Sequence, residues 1–354
     1  MGLPDITIEF KTTGITAIKR SQKGIVALIL RDEKVTGSHK ITNVTEIPEG
    51  LAAENAEYIK RAFLGYQTPP KQVLIYCVKA ETALTEALTY FATQKFDYIC
   101  LPPDGTEEEA TELKTWVTSQ RLNNHAIYKA VLPNLAGDHE AIINFASSGM
   151  TDGKKTYTAA QYCSRIAGMI AGTPMKISCT YAPLTELTDV DRLTKEDGDE
   201  AVDGGKLILI HDGEKVKLGR GVNSFVTTTD GKGEPFKKIK IVEAIDMIGQ
   251  DIRKTAEDSY IGKYANSYDN KCLLIAAIKG YLEQLELDGI VEKGTSFVEI
   301  DMQQQEVYLK SQGIDTTEMT EQEIKEAATG SKVFLSIRCK ILDAIEDIDI
   351  NVVI

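Results

Sequence analysis

Two hydrophobic rhythms divide this chain, a strand and helix alternation in its first two thirds and helical spacing after that. Gly24-Ile25-Val26-Ala27-Leu28-Ile29-Leu30 is a continuous apolar run, as expected of a strand covered on both faces. The pattern then predicts a strand at 73–78, a helix at 82–94, a strand at 97–101, a helix at 107–122 and a strand at 126–132. Such alternation implies parallel strands joined by crossover helices. A helix over 158–171 carries Tyr162, Ile166 and Ile170 on one face. Its Ala160, Ala167, Gly168 and Ala171 permit close approach to a neighbour, and Gly172-Thr173-Pro174 stops it. An acidic surface helix follows Thr194, and a hairpin is expected from 206–210 and 215–223 around Asp212-Gly213.

Beyond that point Ile241, Ile245, Ile248 and Ile252 repeat at helical spacing. A second helix over 269–288 aligns Leu274, Ile278, Leu282 and Leu285. Strands are expected at 296–300 and 333–341. In the latter Val333, Leu335, Ile337, Cys339 and Ile341 face one way, and Phe334, Ser336, Arg338 and Lys340 the other.

Both extremities read as single amphipathic strands with no hairpin partner beside them. Ile6, Ile8 and Phe10 alternate with Asp5, Thr7 and Glu9, and Gly14 behind them reads as a hinge; Ile348, Ile350 and Val352 alternate with Asp347, Asp349 and Asn351. Burying three such side chains yields roughly 5 to 8 kcal/mol, and each ladder hydrogen bond adds about 1 kcal/mol. Ordering six residues costs on the order of 6 to 12 kcal/mol. The sum is near zero, so such an arm holds poorly alone and well in a lattice where many engage together. Spacing by itself equally allows both ends to complete a sheet of their own chain.

Composition narrows the function classes. The 354 residues suffice for about two domains, and the 42% hydrophobic share is that of an ordinary globular protein. A formal charge of −13, from 40 basic and 53 acidic residues, argues against nucleic acid as the main partner; Lys237, Lys238 and Lys240 read as a solvated helix entrance. Without a membrane-length apolar run or a charged n-region at Met1-Gly2-Leu3-Pro4-Asp5, a soluble cytoplasmic product with no membrane insertion is expected. The six cysteines, Cys77, Cys100, Cys163, Cys179, Cys272 and Cys339, form no C-x-x-C pair and are expected as free thiols.

Candidate chemistry is sparse. Gly219-Arg220-Gly221-Val222-Asn223-Ser224 lacks the third glycine of a dinucleotide loop, and Asp230-Gly231-Lys232-Gly233 lacks Walker spacing, so both read as turns. His39, His125, His139 and His211 show no metal-ligand spacing. Ser147-Ser148-Gly149 is not a nucleophile elbow, and Asp197, Asp199 and Asp203 do not follow a calcium-loop order. No catalytic, cofactor or metal residues are assigned and no enzyme activity is expected.

Several segments, in this order and spacing, are similar to one family. They are Arg165-Ile166-Ala167-Gly168-Met169-Ile170-Ala171-Gly172-Thr173-Pro174; Arg220-Gly221-Val222-Asn223-Ser224; Ile252-Arg253-Lys254 continuing to Tyr260-Ile261-Gly262-Lys263-Tyr264-Ala265-Asn266-Ser267-Tyr268-Asp269-Asn270-Lys271; and the ending from Lys340-Ile341-Leu342 to Asp349-Ile350. The chain resembles the contractile tail sheath proteins of phages and R-type bacteriocins over most of its length. The resemblance implies an α/β outer domain plus an α+β inner domain with extended N- and C-terminal β-strand arms for intersubunit strand exchange.

On this sequence the division is an N-terminal arm at 1–20, an outer domain at 21–230, an inner domain at 231–344 and a C-terminal arm at 345–354. The resemblance makes 5–10 and 347–353 the donated strands, and 296–300 and 333–341 receiving strands. Asp347 and Asp349 are expected near Arg338 and Lys340 of a receiving strand. It further implies a helical homo-oligomer of stacked hexameric rings around an inner tube protein, with baseplate and tail-terminator proteins as further partners. Contraction would drive the tube through a target envelope, in a particle assembled in a bacterial cytoplasm and extracellular after release. The alternatives are an α/β nucleotide-binding enzyme and a ring-forming scaffold that does not contract.

Overall fold

The structure, a computed structural model, describes residues 18, 23–79 and 82–353. Ile6, Ile8, Phe10 and the hinge expected at Gly14 lie outside the described residues. The chain divides into two compact units, one of residues 22–247 with 343–354, the other holding 248–342. This division falls 17 residues beyond the expected boundary after 230, because the helix expected to open the inner domain begins in the first unit. Residues 343–344 also group with the first unit rather than with the inner domain.

In the first unit the chain forms β1 (Ile25–Arg31), β2 (Gly37–Ile41), α1 (Ala53–Phe63), β3 (Gln72–Val78), α2 (Thr85–Phe91), β4 (Tyr98–Cys100), α3 (Glu107–Asn124), β5 (Lys129–Pro133) and β6 (Ile142–Phe145). A small hairpin of β7 (Met150–Thr151) and β8 (Thr156–Tyr157) leads into α4 (Ala159–Ala171). There follow α5 (Lys195–Asp203), β9 (Lys206–Leu207), β10 (Leu209–His211), β11 (Val216–Leu218) and α6 (Ile239–Thr255), which continues past Met247.

The main sheet has seven strands in the order β2-β3-β1-β4-β5-β6-β9, parallel except for β2. The apolar run of β1 is explained by its place in the middle. Val26, Leu28 and Leu30 pack with Tyr58 and Ile59 of α1 and Ile166 and Ile170 of α4, while Ala27 and Ile29 pack with Phe91 of α2 and Leu113 and Val117 of α3 on the opposite face. A sheet filled on both sides needs no polar alternation.

Capping boxes start two of these helices. Thr106 and Glu109 exchange side-chain and backbone bonds at α3, and Thr158 and Gln161 do so at α4. The small face expected on α4 is used against α1. A Cβ on Gly168 would stand 1.9 Å from the carbonyl oxygen of Ala62, so the two backbones touch there. Arg165, buried beside that contact, donates to the Gly65 carbonyl at 2.7 Å and to Glu186 at 2.6 Å.

Several elements differ from the sequence expectation. Lys206–Leu207 joins the main sheet beside β6 instead of the hairpin, which is left with β10 and β11 around Asp212-Gly213. The elements β2, α1 and β6 were not foreseen. The first half of α6 is tied in by buried charge: Asp246 accepts from Arg121 at 3.0 and 2.8 Å and from Lys129 at 2.9 Å. Burial works to raise the Asp246 pKa, but the two cations hold it below the usual carboxylate range.

Cys77, Cys100, Cys163 and Cys179 are buried free thiols. Burial pushes Cys77 and Cys179 up to about 12. Titration of the native protein with an aromatic disulfide at pH 8 is expected to reach only the half-buried Cys272 and Cys339, and all six thiols after unfolding. A fast phase larger than two thiols would contradict this packing.

In the second unit, α7 (Tyr268–Leu287), β12 (Phe297–Ile300), α8 (Met302–Ser311), α9 (Glu321–Glu326) and β13 (Leu335–Arg338) follow in order. Ile278, Leu282 and Leu285 of α7 are buried, as are Ile300, Leu309 and Ile324. β12 and β13 pair antiparallel, from Phe297 opposite Arg338 to Ile300 opposite Leu335.

Candidate assembly interface

Among the described residues, the β12–β13 sheet has only these two strands. Its ladder is short, four residues on each strand. A lone two-stranded sheet of this length is marginal in water, and among the described residues neither strand has a second ladder partner on its outer edge. Apolar side chains stand in solvent here: Phe297 is 58% exposed, Val333 41% and Ile337 37%. Phe297 and Ile337 lie on the paired strands themselves.

The position of β13 is fixed from α7's entrance. Asn266 Nδ2 donates to Thr329 Oγ1 at 3.1 Å and to the carbonyls of Gly330 at 2.8 Å and Lys332 at 2.9 Å, which pins the approach to Val333. Next to it Ser267 caps α7 by accepting from the Asn270 amide. This gives the Tyr264-Ala265-Asn266-Ser267 segment a structural task. At the far end the Glu292 amide donates to the Lys340 carbonyl at 2.7 Å, and Val291 bridges Ile341.

The C-terminal residues 343–353 adopt no regular secondary structure. Ile348, Ile350 and Val352 are 72 to 79% exposed, and Ile345 and Val353 still more. The alternating stripe seen in the sequence is thus present and uncovered within the protomer. Glu346 is the exception, with a side chain only 5% exposed. Its carboxylate accepts from Ser178 Oγ at 3.0 Å, Thr180 Oγ1 at 2.5 Å and Lys238 Nζ at 3.2 Å, and Arg220 Nε lies 3.9 Å away. On either side Asp343 pairs with Lys238 and Asp347 with Arg220. Burial works to lower the Lys238 pKa, but Asp343 and Glu346 carry it above the usual lysine value.

The socket around Glu346 is built by the Arg220-Gly221-Val222-Asn223-Ser224 segment. Gly221 sits where a Cβ would stand 2.9 Å from Cys179 Sγ, and its amide donates to Thr180 Oγ1 at 2.9 Å, setting Arg220 beside Ser178 and Thr180. Asn223 donates through its amide to the Lys237 carbonyl at 2.9 Å and through Nδ2 to that of Phe236 at 2.7 Å, which brings Lys238 alongside. Ser224 closes on the main sheet, its amide donating to the Ile142 carbonyl at 2.8 Å. Tyr181, which follows Thr180, turns the chain with φ of 59°, a left-handed conformation uncommon for an aromatic residue.

Within the protomer the charges expected to meet across subunits have other partners. Arg338 bonds Glu299 at 2.7 Å, Lys340 bonds Glu292 at 2.7 Å, and Asp347 takes Arg220. Glu346 was not singled out from the sequence, where it is one carboxylate in an acidic ending. The signal that could have found it is the Arg220 segment, which has no phosphate-loop geometry and so needed another anion. The second glycine-rich stretch is a tight turn, with Thr229 and Lys232 exchanging backbone bonds at 2.9 and 3.1 Å. No group of three metal-ligating side chains is assembled among the described residues, and no helix there is long and apolar enough to cross a membrane.

Comparison with known proteins agrees with the family resemblance. Residues 79–224 match the phage tail sheath protein central domain and residues 231–354 the phage tail sheath C-terminal domain. The chain is 40% identical to the tail sheath protein of Clostridium phage phiCD119, with 99% of each chain covered. Among solved structures, the sheath tail protein of Desulfitobacterium hafniense superposes with a TM-score of 0.70 at 16% identity, over 84% of this chain and 94% of that one. The helical sheath of the anti-feeding prophage in its contracted state gives 0.71 at 14% identity, over 100% and 99%. At these identities the structures speak for the fold.

Proposed function

Because this chain belongs to the phage tail sheath family, we propose that it polymerises as stacked hexameric rings around an inner tube and contracts to drive that tube through a cell envelope. Its terminal strands link neighbouring subunits. The observation that supports this most directly is the fit between an uncovered C-terminal segment and a sheet of only two strands among the described residues. Ile348, Ile350 and Val352 offer one apolar face, and β12–β13 offers open edges beside exposed Phe297 and Ile337. Strand addition from a second copy satisfies both. By the resemblance, 5–10 is the other donated strand.

In this reading the α/β unit, through residue 247, forms the outer body, and 248–342 with the N-terminal arm form the inner domain. The C-terminal arm begins near 345. The expected charge pairs would require Arg338 to exchange Glu299, and Lys340 to exchange Glu292, for Asp349 of a neighbour; pairing through Asp347 would also require leaving Arg220. Exposed ion pairs are worth about 0 to 1 kcal/mol each, so such exchange is nearly neutral. The driving free energy of contraction would be stored in the lattice and released as contacts form, with no cofactor. Baseplate and tail-terminator proteins would bind the two ends of the filament, in a particle made in the bacterial cytoplasm and released with it.

The nucleotide-binding alternative is not favoured, since sheath similarity runs the length of the chain. Electron microscopy of the protein co-expressed with its tube partner tests the proposal. Filaments of two lengths, the shorter one wider, are expected. A single form that no treatment shortens would leave a scaffold and overturn contraction.

A further inference from the structure

One buried carboxylate interrupts a run of solvent-exposed residues at the C-terminus. Ile345 is 86% exposed and Ile348 72%, while the Glu346 side chain between them is 5% exposed. Removing a carboxylate from water is unfavourable unless charge-assisted bonds replace its hydration. Here two hydroxyls, from Ser178 and Thr180, and two cations, Lys238 and Arg220, do so. The four come from three segments of the first unit, 178–180, 220 and 238, so a carboxylate one position earlier or later cannot reach them all. Asp343 and Asp347 share the same two cations from outside.

We propose that Glu346 is the positioning residue of the C-terminal segment. Its socket clamps the chain onto the α/β unit up to Asp347 and releases it from Ile348 onward. The free strand then has a fixed starting point at Ile348, from which it extends at roughly 3.3 Å per residue. It is presented to a second copy of this chain from that point, and tension on it passes into the α/β unit through the buried carboxylate. Only the consequence for linkage between copies rests on the strand-donation reading; the clamp itself is a property of the single protomer.

The test is made on the full chain at concentrations where it stays unassembled, by 15N heteronuclear NOE of deuterated protein. In the parent, ordered amides are expected through Asp347 and mobile ones from Ile348. In Glu346→Ala the step is expected to move back to about Asp343, with amides of the main sheet unchanged. Glu346→Gln keeps the shape and the hydroxyl contacts but not the charge, and is expected to give intermediate values at Ile345 and Asp347. A step that stays at Asp347 in Glu346→Ala, or a parent chain already mobile from Asp343, overturns the clamp. Failure of the parent protein to form filaments would count against strand donation and leave these values as they are.

Discussion

Deleting residues 347–354 is expected to yield a folded protomer that does not enter filaments. The segment contributes little to the fold that carries it, since Ile348, Ile350, Val352 and Val353 are all more than 70% exposed. The deletion removes the ion pair of Asp347 with Arg220, and an exposed pair of this kind is worth about 0 to 1 kcal/mol. For a domain of this size 1 kcal/mol moves the melting temperature by about 2 to 4 °C. Calorimetry should therefore place the truncated chain within a few degrees of the parent. Sedimentation and negative-stain images should show the truncated chain confined to small species under conditions where the parent polymerises. Filaments of normal yield from the truncated protein would remove the C-terminal strand from the assembly mechanism.

Replacing Gly168 by valine is expected to disrupt folding of the α/β unit severely. The first added carbon would lie 1.9 Å from the Ala62 carbonyl oxygen and 2.7 Å from its carbon, and these are backbone atoms that cannot swing aside. The α1 and α4 helices must separate, which opens the packing of Tyr58, Ile59 and Ala62 against Ile166 and Ala167 in the largest core of the molecule. Overpacking of this severity costs about 3 kcal/mol or more. Urea unfolding should show the loss as a lowered midpoint, or the variant should fail to accumulate in soluble form. Gly280 supplies the control: it lies inside α7 with nothing within 4 Å of an added carbon, so Gly280→Ala should stabilise by about 0.5 to 1 kcal/mol. Equal effects at the two sites would mean that the α1–α4 approach is not as close as described.

Much of the α/β unit is legible because its elements announce themselves locally. The apolar run of β1 and the small face of α4 follow from their surroundings in the sheet and against α1. What escaped has no local signature. The edge strand β2, Gly37-Ser38-His39-Lys40-Ile41, is polar because one side of its ladder faces solvent. In α1, Tyr58, Ile59 and Ala62 are buried among charged neighbours such as Glu54, Glu57 and Lys60. Lys206–Leu207 is too short to declare whether it belongs to a hairpin or to the main sheet; its pairing with Asn144 and Phe145 is decided more than 60 residues away. The Glu346 socket is the extreme case. Its parts, at 178, 180, 220, 238 and 346, acquire meaning only when the fold gathers them.

The main sheet ends on one side in β9, a strand of two residues, and on the other in β2, whose exposed positions are the polar Ser38 and Lys40. Neither rim gives an incoming peptide a long apolar ladder to zip onto. A molecule that leaves an apolar strand exposed courts cross-β clumping. With the broad sheet blunted at both rims, the strand donation proposed above would meet little competition from that sheet.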